Sequence, residues 1–149
     1  MKISNLKNIF STDKHGYSLN SIYDLNNSYS FNSSILILIE TKEKGLIGGV
    51  FSNLLKFTND KYVRPLHSQL CLIRPKIQVF KPMNNSDDIL YCSHEYIMIG
   101  GGPNGPAIMI DQDLKKGFSN DENYFKFPIF NPESKGMFEI VRIEIYMFQ

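Results

Sequence analysis

The chain has no tryptophan and only two cysteines, Cys71 and Cys92, neither of them in a Cys-x-x-Cys motif. A structural zinc site, which wants four closely spaced ligands, is poorly supported. Apolar runs are short. The longest, ILILI at residues 35–39, falls far below the ~20 residues of a membrane-spanning helix. The opening stretch MKISNLKNIFSTDKHG contains no seven-residue apolar core, so no secretory signal is expected in it. The sequons at Asn26, Asn32 and Asn84 are then ordinary loop chemistry, and the expected compartment is the cytoplasm, with both thiols reduced. Charge of one sign is also missing. Sixteen basic residues meet fifteen acidic ones, for a net charge of +1, and no five like charges run together. Phosphate neutralisation dominates nucleic-acid binding and calls for a basic excess, so that partner class is disfavoured.

What is present is one domain's worth of chain. Its 149 residues are 42% hydrophobic, enough for a single core. Eleven Phe and eight Tyr, with many Ile in short runs, favour strands. Ser18 precedes helically spaced Leu19, Ile22 and Tyr23, which predicts a short helix over 18–25. SILILIE (34–40) reads as a strand buried on both faces, and LIGGVFS (46–52) as its hairpin partner. Gly48 and Gly49 suggest a bulge or a close approach there. QLCLIRP, KIQVFKP, two pieces of ILYCSHEYIMIGGG, PAIMIDQDL and a long FEIVRIEIYMF complete the strands, with KKGFSNDENY as a loop. Turn signals every 8 to 12 residues and the lack of crossover helices predict an antiparallel sandwich or barrel.

HEYIMIGGGPNGPAIMIDQDL (94–114) places Gly100, Gly102 and Gly105 in the order G-x-G-x-x-G. A dinucleotide fingerprint needs a helix directly after the glycines, whose N-terminus holds the phosphate. Here Pro103, Asn104, Gly105 and Pro106 lead into a strand-like AIMI, and no Lys-Ser or Lys-Thr follows. No nucleotide cofactor is expected. The stretch reads as an exposed hairpin-like turn, and its three adjacent glycines leave a low-bulk strip that another backbone could approach.

Few polar residues stand in a pattern that carries chemistry. Cys92 and His94 would share a face of one strand, the only hint of a thiol–imidazole pair for a hydrolase or a thiol-based redox enzyme. His15 is read as bracing the turn before the helix. Asp111 and Asp113 lack the third oxygen ligand and the glycine of an EF-hand, since Lys115 and Lys116 follow. A structural domain of a larger protein is a third reading, and the enzyme alternative also takes in Glu144, which lies in the most apolar strand. Alternation puts it beside Arg142 and Tyr146, with Val141, Ile143, Ile145 and Met147 opposite.

Taken in order, HGYSLNSIY, IGGGPNGPAIMIDQDLKKGFS, YFKFPIF and FEIVRIEIYMF resemble the TLDc domain of the oxidation resistance proteins. His15, Gly16, Ser18, Leu19 and Tyr23 match the first block of the family pattern. Gly100, Gly101, Gly102, Asp111, Asp113, Leu114, Gly117 and Ser119 match the second, and Phe138, Ile140, Ile143, Glu144 and Tyr146 the last. The family's middle aromatic-Tyr-Gly is replaced by KYVRP, and its Cys-x-Thr-Phe-x-Asn by NYFKFPIF. The resemblance implies a mainly β, two-sheet antiparallel β-sandwich with a few short helices over residues 1–149, without the helical segment that often precedes the first block. It also implies a non-enzymatic, monomeric protein-interaction domain with no cofactor or metal and no membrane insertion. The implied role is in oxidative-stress resistance, with binding to the vacuolar proton-pumping ATPase (V-ATPase) and recruitment to the membranes that carry it. Gly100 to Gly102 are the expected contact strip.

Overall fold

The computed structural model describes residues 5–83, 87–101, 105–120, 123–128 and 130–149. Ten strands carry the fold: β1 (Leu6–Ser11), β2 (Ile35–Thr41), β3 (Leu46–Phe51), β4 (Ser68–Arg74), β5 (Gln78–Phe80), β6 (Leu90–Cys92), β7 (Tyr96–Ile99), β8 (Ile108–Asp111), β9 (Lys116–Ser119) and β10 (Met137–Phe148). Two short helices, α1 (Thr12–His15) and α2 (Leu19–Asn26), follow β1, and a 3₁₀ turn spans Pro132–Ser134. The mainly β, antiparallel character matches the expectation. The helix forms where predicted, just after Ser18, and buries Leu19, Ile22 and Tyr23. One expectation is corrected here: KKGFS is strand β9 rather than loop, and LKNIFS, for which no element is predicted, forms strand β1.

Hydrogen bonding joins all ten strands into one sheet, in the order β5-β4-β3-β2-β10-β9-β8-β7-β6, with β1 also on β10. The expected division into two separate sheets is not what the ladders show, because β10 belongs to both wings. Its first residues, Met137–Glu139, pair with β9, and Glu144–Phe148 pair with β1. A bulge makes this possible. Ile140 faces Thr41 and Arg142 faces Glu40, so Val141 is an extra residue. An inserted residue bends the strand and reverses the side-chain parity beyond it. Phe138 and Ile140 before the bulge, and Ile143 and Ile145 after it, therefore all point into the core, while Val141 is 41% exposed. Strict alternation had placed Val141 with Ile143.

β2 shows the same one-sided logic. Ile35, Ile37 and Ile39 are buried and Leu36 and Leu38 half-buried, so the apolar run is not buried on both faces. Gly48 and Gly49 pair regularly with Leu38 and Ile37, and no bulge lies at either. One continuous cluster fills the interior and draws on both wings: Phe10, Phe51 and Leu70 from one, Leu90, Ile99, Phe125 and Phe127 from the other. Each fully buried Phe of this set contributes about 2–3 kcal/mol of transfer free energy. Among the described residues no helix is long and apolar enough to cross a membrane.

Candidate functional site

The residues singled out in the first half of the chain converge on those of the second. Gly16 turns the chain at φ +88° between the helices, and the Leu19 N–H donates to the Gln112 carbonyl at 3.0 Å. This bond closes a polar cleft of about 180 Å³ lined by Tyr17, Ser18, Leu19, Asn20, His94, Gln112 and Asp113. The cleft holds a hydroxyl, an imidazole and a carboxylate, the residue types of a nucleophilic triad. Their bonding is different. The His94 ring stacks on Phe57 at 4.5 Å, and its Nδ1 donates to Asn20 Oδ1 at 3.1 Å rather than to Asp113. Ser18 stands at the helix N-cap and makes no side-chain capping bond. Acyl-transfer chemistry needs the nucleophile on the base and the base on its orienting group. Among the described residues neither link is formed.

Cys92 and His94 are not paired. β6 ends at Cys92 and a tight turn follows, so the strand alternation that would have aligned them breaks off. Cys92 points into the core and His94 is exposed. The Ser93 Oγ that accepts the backbone N–H groups of Glu95 and Tyr96 shapes this turn. Burial pushes the Cys92 thiol up to about 12, and the Tyr23 hydroxyl beside it only partly offsets this. Burial raises the Cys71 thiol as well. A thiolate nucleophile needs the opposite environment, electropositive and partly open.

The other selected residues serve the protein's own backbone. His15 Nδ1 accepts the Ser11 N–H at 3.0 Å, and its ring stacks on Phe10. Asp111 accepts the Lys115 N–H at 3.3 Å and holds the β8–β9 turn, while Asp113 remains exposed in the cleft. Ser119 is buried and its hydroxyl bridges the N–H and carbonyl of Phe130. Glu144 does not pair with Arg142. The Tyr146 hydroxyl donates to Glu144, and this bond is the first cause of the raised Tyr146 pKa. Arg142 instead lies 2.9 Å from Asp13 and 3.4 Å from Glu40. These ion pairs are half-exposed, a setting in which a pair is worth at most about 1 kcal/mol.

The glycine stretch is corrected too. Strand β8 follows it, not a helix, but Gly100 and Gly101 are buried rather than exposed; Gly102 lies outside the described residues. Gly100 sits at φ +67°, where a Cβ would also collide with the Phe125 ring. Its N–H donates to Ile89 at 2.6 Å and its carbonyl accepts from Ala107 at 2.8 Å. The Gly101 N–H donates to Asp88 and its carbonyl accepts from Tyr124. A Cβ on Gly101 would stand 3.1 Å from Asp88 and 3.4 Å from the Tyr62 ring. The low bulk therefore admits the protein's own side chains.

Two features were missed from the sequence. Buried Asn123 ties together Asn120, Phe125 and Phe127 through both ends of its amide. Tyr62, Tyr91 and Tyr96 gather on one surface. Their spacing of 29 and 5 residues matches no helix or strand period; the β6–β7 ladder together with the Val63–Leu90 bridge brings them together.

Comparison with known proteins adds a family. The family model described as TLDc domain matches residues 1–149. Nuclear receptor coactivator 7 of Mus musculus is 26% identical over 140 residues, covering 94% of this chain and 14% of that protein. Its Homo sapiens counterpart is 27% identical over 139 residues, 93% and 14% respectively. The Gallus gallus protein is 26% identical over 140 residues, and the chain spans 15% of its length.

Proposed function

Because the chain belongs to the TLDc domain family, we propose that it is a non-enzymatic protein-binding domain of the cytoplasm that engages the V-ATPase and contributes to resistance against oxidative stress. The observation that carries this reading is the family match along residues 1–149. The site chemistry supports its non-enzymatic part. The Ser18–His94–Asp113 cleft lacks the two links of a triad, and both thiols are held in their protonated form. The matched relatives are named for nuclear receptor coactivation, and the chain spans about one seventh of their length, so that activity is not carried over.

The test is direct. Purified V-ATPase is passed over the immobilised chain, and ATP-driven proton pumping is measured with and without it in solution. Saturable capture with a change in pumping is expected. No capture at micromolar chain, together with turnover of acyl-ester substrates that is lost in His94→Ala, would replace this reading with the hydrolase one.

A further inference from the structure

The outward face of β6 and β7 is aromatic and bordered by carboxylates. Tyr91 and Tyr96 stack with their centroids 5.8 Å apart, and Tyr62 leans on Tyr91 at 5.3 Å. Met98 pairs with Tyr91 across the ladder and places its sulfur 3.8 Å from the Tyr62 hydroxyl. All four side chains are half-buried, so each offers part of its surface to solvent. The Tyr91 hydroxyl donates to Asp60 at 3.3 Å. Asp111 stands opposite Tyr96 in register, and exposed Glu95 precedes it. Asp88 acts electrostatically on Tyr62, whose phenol is raised first by burial and then by that carboxylate. Exposed Lys61 lies between Asp60 and Tyr62 in sequence.

Beneath this surface lies Gly101. Having no side chain, it lets Asp88 and Tyr62 rest against the backbone, and its hydrogen bonds to Asp88 and Tyr124 hold the two flanking segments. Gly101 thus supports a surface that other residues present.

We propose that this face docks an arginine-bearing segment of a partner protein, the guanidinium lying on the Tyr91–Tyr96 rings with Asp60 in ion-pair reach. Flat guanidinium groups stack on aromatic faces and fork to carboxylates, whereas an ammonium is a compact, strongly hydrated charge. Tyrosine-rich, partly exposed clusters are the usual composition of binding hot spots. An anionic segment would meet the carboxylates, and a purely aliphatic one would take them out of water without supplying an opposite charge. The proposal rests on the reading of the domain as a protein binder and is independent of which protein it binds.

The experiment titrates a tetra-arginine peptide into the isotopically labelled chain and follows backbone amide shifts. Saturable shifts centred on Tyr62, Tyr91 and Tyr96 are expected, with tetra-lysine about threefold weaker. Tyr91→Ala should weaken binding about fivefold and Asp60→Asn about threefold, with Tyr91→Phe close to the parent. Asp60 is exposed, so Asp60→Asn decides the matter if Tyr91→Ala fails to fold. Shifts centred on another face, or unchanged affinity in Asp60→Asn, overturn the proposal. Saturable V-ATPase capture by a chain that shows no peptide-induced shifts at the tyrosines overturns the proposal while leaving the functional reading intact. Peptide binding at the tyrosines without V-ATPase capture does the reverse.

Discussion

Gly100 and Cys92 show how a single residue's role depends on what stands over it. At φ +67°, with the Phe125 ring against its α-carbon, Gly100 tolerates no side chain. Gly100→Ala combines a left-handed backbone penalty of ~1–2 kcal/mol with overpacking of ~1–3 kcal/mol, so a loss of about 3 kcal/mol is expected by urea denaturation. A loss below about 0.5 kcal/mol would mean that the ring does not sit there. Cys92 makes a prediction in pH. Its folded pKa is raised to about 12 by burial, and that of Cys71 is also raised. Below the ordinary thiol range both states carry the proton and the term vanishes. As pH rises from about 8.5, the unfolded chain loses thiol protons that the folded chain keeps, and stability falls. With both cysteines replaced by alanine, the decline should begin only near pH 10, where unfolded tyrosine starts to ionise. An unchanged onset in a pH series of denaturation curves would show that the thiols are not its source. Both thiols of the native chain should also label slowly with an alkylating reagent at pH 7.

The segment from Asn123 to Phe127 is the element that most depends on one amide. Asn123 Oδ1 accepts the Phe125 and Phe127 N–H groups, each at 3.0 Å, and Nδ2 donates to the Phe127 carbonyl at 2.9 Å. These bonds deliver Phe125 and Phe127 into the core. Asn123→Asp keeps the two acceptor contacts but turns the donor into an oxygen facing carbonyls. A loss of about 3 kcal/mol is expected from circular dichroism melts, since each unmatched buried polar contact costs ~1–3 kcal/mol. A melting temperature within a degree of the parent would mean that the loop has another support. Helix α2 was legible because Leu19, Ile22 and Tyr23 recur at its period. β9 was not, because KKGFS offers one large apolar residue in five and forms only where β8 and β10 supply ladders on either side.

At the scale of the whole molecule, β10 and the common core join the two wings. The cluster runs from Phe10 and Phe51 to Phe125 and Phe127 without a break, and β10 pairs with β1, β2 and β9. A structure so connected should unfold in one cooperative step. With no tryptophan present, tyrosine emission reports tertiary packing and far-ultraviolet dichroism reports the sheet. The two signals should share one urea midpoint. Separate midpoints would mean that the wings fold independently.

The sequence by itself determined the β-rich antiparallel class, the helix after Ser18, the strand after the glycines and the TLDc membership. Each rests on local periodicity, turn chemistry or an ordered set of motifs, which need no knowledge of distant neighbours. Only the tertiary structure decided that β10 serves both wings, that Gly100 and Gly101 are buried, and that Arg142 turns from Glu144 to Asp13 and Glu40. One extra residue at Val141 reverses side-chain parity, and the turn over residues 93–95 parts Cys92 from His94. Such departures leave no mark in a hydrophobic pattern. They are selected by the ladders and rings that close around them, from Thr41 opposite Ile140 to Phe57 over His94, and those partners come from far along the chain.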